Sequence, residues 1–300
     1  MTLPLPWPFD REYMQLALAS GMAVGACAPL IGTFLVQKRL SLMGDGVGHM
    51  AFAGVAAGLL AGLSPLWTAL AVAVAGAVTI EWLRLRRRAS GDLALAVFFY
   101  TGIAGGVVLT GLAGSLNAGV LTYLFGSVLT VSPADARSIC LLGAAILVVI
   151  AVSWRALFAV ALDEEAARVA GLPVDALSIG LAALTAVTVV AAMRVVGVLL
   201  VAALMVLPVG AAQRLARSFV ATLRWAVAVG LGSVVVGLAV ARAGGLAPAA
   251  PSSWWRRGPS PLPRSSTSAG GGPGLRRRAA WRQRQFGQRP SKSRRWPVIS

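Results

Sequence analysis

Residues 41–62 read SLMGDGVGHMAFAGVAAGLLAG, an apolar run that holds two ionisable side chains. Asp45 and His49, the single histidine of the chain, stand four residues apart, so in a helix they project from one face. Ionisable groups inside a membrane are costly and usually face a bundle interior or a water-filled path. Glycines at four-residue spacing, such as Gly54 and Gly58, let a second helix approach closely. The stretch therefore predicts a central membrane helix that carries candidate functional residues.

The whole chain has the composition of a membrane protein. Its 300 residues are 57% hydrophobic and only 12% charged, and the mean hydropathy is +0.78. Soluble domains carry about 25% charged residues. Apolar runs long enough to cross the hydrocarbon core recur along the sequence. We predict an all-α fold, a polytopic membrane helix bundle with about eight transmembrane helices, at residues 14–36, 44–63, 65–83, 91–112, 138–154, 175–193, 195–212 and 225–243.

Basic residues follow alternate spans and predict the orientation of the chain. Lys38 and Arg39 follow the first span, residues 84–88 (RLRRR) follow the third, and Arg155 follows the fifth. The positive-inside rule places these segments in the cytoplasm and the N-terminus outside it. The opening MTLPLPWPFDREYM contains acids instead of a basic n-region, so we expect the first span to remain as a membrane helix. We therefore expect a multi-pass protein of the plasma (inner) membrane.

Two connections between spans are predicted to be structured. Residues 114–135 are too polar and too rich in glycine for a full span, and they indicate a broken or re-entrant segment. Residues 161–176 (ALDEEAARVAGLPVDA) predict a short cytoplasmic helix. Three acids in its first turn suit the helix dipole, and Gly171 followed by Pro173 predicts its end.

The sequence changes character at residue 248, so we divide it into a membrane domain, residues 1–247, and a tail, residues 248–300. The tail is rich in Pro, Ser and Arg, and it is predicted to be disordered. Of the 27 Lys and Arg residues, 12 lie beyond residue 250, where no acid occurs. The formal charge of +17 therefore belongs largely to the tail.

A shifted reading frame is one explanation for this tail. If Pro251–Arg256 (PSSWWR) is encoded CCA-TCG-TCG-TGG-TGG-CG, the neighbouring frame encodes Ile-Val-Val-Val-Ala, the start of another membrane helix. We hypothesise that a ninth span has been lost in this way. An out-of-frame tail needs no selected role, so we expect no nucleic-acid partner. An arm that binds nucleic acid or anionic lipid is the alternative.

Asp45 and His49 have the chemistry of metal ligands. A carboxylate oxygen and an imidazole nitrogen suit Zn²⁺ or another first-row divalent ion. The alternative is a structural pair near the interface, with Asp45 capping its helix. Two ligands are too few for a closed site, so water, backbone, other helices or a second subunit would complete it.

The segment EAARVAG, residues 165–171, is similar to the cytoplasmic coupling loop of ABC importer permeases, in which a short helix docks on the ATPase subunit. The residues that carry this similarity are Glu165, Ala166, Ala167 and Gly171. An ordinary amphipathic connector is the alternative. The sequence has no Gly-rich phosphate-binding loop ending in Lys-Ser/Thr, so we predict that the chain is not an enzyme. It is also expected to hold no permanently bound cofactor.

Several segments together resemble the membrane permeases of zinc and manganese ABC importers. They are residues 39–62, YLFGSVLTVSPAD (123–135), DEEAARVAGLP (163–173) and MRVVGVLLVAALMVLPVGAAQRLARS (193–218), within a match over residues 14–247. The resemblance implies a permease domain that moves Zn²⁺ or Mn²⁺, with Asp45 and His49 contacting the ion. It also implies a homodimer, cytoplasmic ATPase subunits that contact residues 165–171, and an extracytoplasmic metal-binding protein. The tail departs from the family, whose members are expected to have a further membrane helix there.

We therefore predict the permease subunit of an ATP-driven importer of divalent metal ions, zinc before manganese. Two other functions fit the same sequence. A permease for a metal chelate or an organic cofactor would have a wide cavity and a structural Asp45–His49 pair. A stand-alone secondary transporter would need no ATPase partner.

Overall fold

The computed structural model describes residues 8–86, 91–112, 118–126 and 131–243. Helices make up nearly all of this part of the chain, and it contains no β-strand. The elements are α1 (Glu12–Gln37), α2 (Met43–Leu60), α3 (Pro65–Leu85), α4 (Gly91–Leu112), α5 (Ala118–Phe125), α6 (Pro133–Leu162), α7 (Glu164–Val169), α8 (Val174–Met193), α9 (Val198–Leu215) and α10 (Phe219–Ala243).

This architecture confirms the predicted polytopic helix bundle. Each of the eight predicted spans coincides with one of these helices, and only α5 and α7 are short. Seven of the described helices are long and apolar enough to cross a membrane. The eighth is α2, which reaches 18 residues. It stays outside that set because Asp45, His49 and its glycines lower its hydropathy.

Helix α2 lies inside the bundle and contacts α3, α4, α8 and α9. Its small residues make this possible. A Cβ atom added at Gly54 would lie 2.7 Å from the Ala69 Cα in α3, so the two backbones touch there. Side chains from α9 lie against Gly44 and Gly48 in the same way. The predicted packing role is confirmed for Gly44, Gly48, Gly54 and Gly58, but not for Gly62, which follows α2 and has open space around it.

The turn between α1 and α2 holds an unusual backbone conformation. Arg39 has a φ of 59°, in the left-handed region that residues with a Cβ rarely adopt. Leu40 then closes the turn by donating its N–H to the Leu35 carbonyl oxygen at 2.8 Å. Helix α2 begins three residues later, so this turn sets the position of Asp45.

Both predicted connections contain a short helix. Helix α5 has eight residues and lies within the predicted broken segment, while residues 113–117 and 127–130 on either side lie outside the described residues. Helix α7 begins after Asp163, whose carboxylate accepts hydrogen bonds from the N–H groups of Glu165 and Ala166. It ends before Gly171, whose φ is 81°. The start and end of α7 are therefore as the sequence predicts.

The ends of α1, α3 and α6 and the start of α8 lie beside α7 at one end of the bundle. We call this the α7 end, and it is defined by the contacts of Lys38, Arg84 and Ser178 described below. The proposed tail and its boundary at residue 248 lie outside the described residues.

Candidate functional site

Asp45 and His49 come together as the helical spacing predicts. Asp45 lies in the first turn of α2 and His49 lies one turn further on. The His49 Nε2 and the Asp45 Oδ1 are 3.7 Å apart. The His49 side chain is 13% exposed and that of Asp45 35%, so both keep a path to the surface. Asp45 does not cap the helix, because Leu42 occupies the cap position and no side chain caps it.

Asp45 lines a cavity next to this pair. It has a volume of about 270 Å³ and lies between the start of α2 and the first half of α4. Phe99 lines it, and its ring stands edge-on to the His49 imidazole, with centroids 4.6 Å apart. The complete lining is Leu42, Asp45, Leu95, Ala96, Phe99 and Tyr100.

Helix α4 approaches His49 closely because it carries glycine there. A Cβ atom at Gly102 would lie 2.8 Å from the carbonyl carbon of His49, so only glycine allows this approach. Gly106, one turn later, packs in the same way against the Phe52 ring. Sequence reasoning missed Phe99 and Gly102 as site residues. The spacing of Gly102 and Gly106 is the signal that could have indicated a packed face of α4.

The two donors can share one metal ion. Zn–N bonds are about 2.0–2.1 Å long and Zn–O bonds about 2.0–2.2 Å, so a nitrogen and an oxygen bound to one ion are at most about 4.3 Å apart. The observed separation of 3.7 Å lies within that limit. Among the described residues, no group of three His, Cys, Asp or Glu side chains could hold a metal. Within this part of the chain the pair is therefore an incomplete site, which suits weak and reversible binding.

The residues predicted to couple to an ATPase divide into two sets. Glu165, Ala166 and Gly171 are exposed at the α7 end. Ala167 is instead only 4% exposed and packs with Val160 and Val174, which holds α7 against the ends of α6 and α8. Val169, which sequence reasoning missed, is 90% exposed. The outer surface of α7 thus presents an acid, small residues, one large apolar side chain and Arg168, which pairs with Asp175.

Glu164 lies next to this surface and joins α7 to the bundle. Its Oε1 is 2.8 Å from the Lys38 Nζ and accepts a hydrogen bond from the Arg84 Nη2 at 2.9 Å. Lys38 also donates to the Ser178 Oγ at 2.7 Å. Arg84 forms a second ion pair with Glu81, whose side chain is 1% exposed. Burial raises the pKa of Glu164, but the hydrogen bonds from Lys38 and Arg84 outweigh it and hold this pKa below the ordinary value.

A second polar cluster lies at the opposite end of the bundle. Arg194, which follows α8, pairs with Asp135 and donates to the Tyr123 hydroxyl at 2.8 Å. Asp135 also forms a reciprocal capping box with Ser132 at the start of α6. This cluster fixes α5 and α6 against the connection between α8 and α9. All three of its main residues fall in segments that carry the resemblance described above.

The fold and the site define a polytopic helical membrane protein. Its central helix carries a two-donor site, and a short capped helix projects at one end. The chain belongs to the ABC 3 transport family, which matches residues 10–252. This match confirms the resemblance drawn from the sequence. The protein is a membrane-embedded permease of that family.

Named relatives share most of the chain. The high-affinity zinc uptake system membrane protein ZnuB of Haemophilus influenzae is 26% identical over 76% of this chain and 87% of its own. The manganese transport system membrane protein MntC of Halalkalibacterium halodurans is 30% identical over 76% of this chain and 78% of its own. Among solved structures, PsaBC from Streptococcus pneumoniae in complex with Fab is similar with a TM-score of 0.70, at 28% identity over 79% of this chain and 86% of that one.

Proposed function

We propose that this chain is the permease subunit of an ATP-binding-cassette importer that moves divalent metal ions into the cytoplasm, with zinc as the preferred ion and manganese next. The observation that carries the proposal is the Asp45–His49 pair, 3.7 Å apart on a helix inside the bundle, with Asp45 lining a cavity. The names of the zinc and manganese relatives support a metal as the cargo.

The proposed mechanism is alternating access, and an incomplete site suits it. Asp45 and His49 hold a partly dehydrated ion transiently, with water, backbone or a second copy of the chain supplying the other ligands. A complete four-ligand site would release its ion slowly, whereas two protein donors allow exchange. The nitrogen donor favours zinc, because imidazole binds zinc well and manganese prefers oxygen.

The proposed partners follow from the two ends of the bundle. A cytoplasmic ATPase subunit docks on the exposed face of α7, where Glu165, Ala166, Val169 and Gly171 lie, and hydrolyses ATP. An extracytoplasmic binding protein delivers the ion to the opposite end. Two copies of the chain form the transport unit in the plasma (inner) membrane, with each N-terminus outside the cytoplasm.

Uptake of radioactive zinc and manganese by cells that depend on this system tests the proposal. Asp45→Ala and His49→Ala should each abolish uptake while the protein still accumulates in the membrane. Glu12→Gln is the matched control, because it removes an exposed carboxylate from the far end of α1. Uptake that survives both site variants would instead support a chelate or cofactor as cargo. Uptake without any ATPase subunit would support a secondary transporter.

A further inference from the structure

A network of four charged side chains links the short helix α7 to three helices of the bundle. Glu164 in α7 pairs with Lys38 after α1, at 2.8 Å, and with Arg84 in α3, at 2.9 Å. Arg84 continues to Glu81 at 2.6 Å, and Lys38 continues to Ser178 in α8 at 2.7 Å. Residues 38 and 164 are far apart in sequence, so the bundle itself creates this contact.

Burial makes the network sensitive to the loss of any one of its charges. The side chains of Lys38 and Glu81 are 3% and 1% exposed, while those of Arg84 and Glu164 are 22% and 33% exposed. Two cations face two carboxylates, so the charges balance. Loss of one partner leaves another charge buried without compensation, which is far more costly than loss of an exposed ion pair. The network therefore favours one arrangement of α7 over others.

The network also touches the segment that positions Asp45. Lys38 immediately precedes the strained turn at Arg39, and α2 begins four residues beyond that turn. Arg84 lines a cavity of about 180 Å³ together with residues 39–43. Leu42 lines both this cavity and the one beside Asp45. The network and the proposed ion site thus border two neighbouring cavities that share Leu42.

We propose that Glu164 is a positioning residue that couples displacement of α7 to the start of α2, and hence to Asp45. When a partner moves α7, the Lys38 and Arg84 contacts pull on the α1–α2 turn and on α3 together. This inference rests on the proposed function, because it assigns a route between the ATPase-docking helix and the ion. Glu165 and Glu164 then differ in role: the first faces the partner and the second faces the bundle.

The experiment measures metal ions transported per ATP hydrolysed, in proteoliposomes that contain the permease and its ATPase subunit. In Glu164→Gln this ratio should fall about fivefold, on the scale produced by mutations along coupling networks. ATP hydrolysis and the amount of ATPase bound should stay close to those of the unmodified protein. Glu12→Gln, which removes a carboxylate from the opposite end, should leave the ratio unchanged. A purely structural role would lower the amount of folded protein and leave the ratio intact.

Two further variants test the coupling role of Glu164. Ser178→Ala removes only the hydrogen bond from Lys38 and should lower the ratio less than Glu164→Gln does. Lys38→Met combined with Glu164→Gln should lower the ratio of ions transported to ATP hydrolysed no further than the more severe of the two single variants does. If the unmodified protein transports zinc or manganese and Glu164→Gln keeps its ratio, the coupling role is wrong. If the unmodified protein transports neither zinc nor manganese, the proposed function itself fails.

Discussion

The imidazole ring of His49 stands edge-on to the ring of Phe99, with an angle of 75° between the two planes. This contact fixes the imidazole from the side of α4 and leaves its Nε2 directed toward Asp45, 3.7 Å away. The orientation of a proposed metal donor therefore depends on how closely α4 packs against α2. That packing depends in turn on Gly102, because a side chain at this position would clash with the backbone of His49.

Gly102→Ala should destabilise the protein, because its Cβ would lie 2.8 Å from the His49 backbone, which cannot move aside independently. We expect a loss of about 1–3 kcal/mol, as for other overpacked cores. Gly111→Ala is the matched control on the same helix, since its Cβ would meet open space. Thermal unfolding in detergent measures both variants. Equal melting temperatures would show that α4 does not need this close approach.

The membrane spans could be predicted from the sequence because hydropathy is a local property. The ends of α7 could also be predicted, since Asp163 and Gly171 act on the backbone within a few residues of themselves. Asp45 and His49 could be predicted to lie together because they stand one helical turn apart in the same helix. These features depend on short segments, so they can be inferred before the packing is known.

The contacts of Glu164 could not be predicted, because its partners are distant in sequence. Lys38 and Arg84 each end a different helix, and only the assembled bundle brings them to one carboxylate. The same holds for Phe99, whose place beside His49 depends on the relative rotation of two helices. Periodicity gives the apolar face of a helix, but it does not give the partner that covers it.

Acid should remove the contribution of Glu164 to stability. Its pKa is held below the ordinary value of 4.5, so the charged form is favoured in the folded state. A lowered folded-state pKa means that the stabilisation is fully present above about pH 4.5 and is lost as the pH falls through the folded-state value. Glu164→Gln should therefore lower the melting temperature at pH 7, and its difference from the unmodified protein should shrink in acid. A difference that does not vary with pH would show that the carboxylate charge is not involved, and Glu12→Gln should show no difference at pH 7.

At the end of the bundle opposite α7, the end of α5 packs closely against the turn between α8 and α9, and Gly197 makes this approach possible. Gly197 has a φ of 85°, and its Cβ would lie 2.5 Å from the Gly126 backbone nitrogen. Gly197→Ala should thus suffer both backbone strain and a clash. Gly62→Ala is the control, because it has a positive φ of 67° but open space around it. Strain alone costs about 1–2 kcal/mol, so Gly197→Ala should lose clearly more in thermal unfolding. Equal losses of stability in the two variants would mean that the close approach at Gly197 tolerates a side chain.

The choice between zinc and manganese should depend on the nitrogen donor of His49. His49→Asp replaces imidazole with a carboxylate and leaves two oxygen ligands at Asp45 and residue 49, a pair better suited to manganese than to zinc. We expect zinc uptake to fall relative to manganese uptake by about tenfold or more, the scale on which changes around a metal site alter affinity. Competition between the two radioactive ions in the same cells measures this ratio directly, with membrane accumulation of the variant checked in parallel. An unchanged ratio in a variant that still transports would place the ion away from His49, and it would return the pair to a structural role.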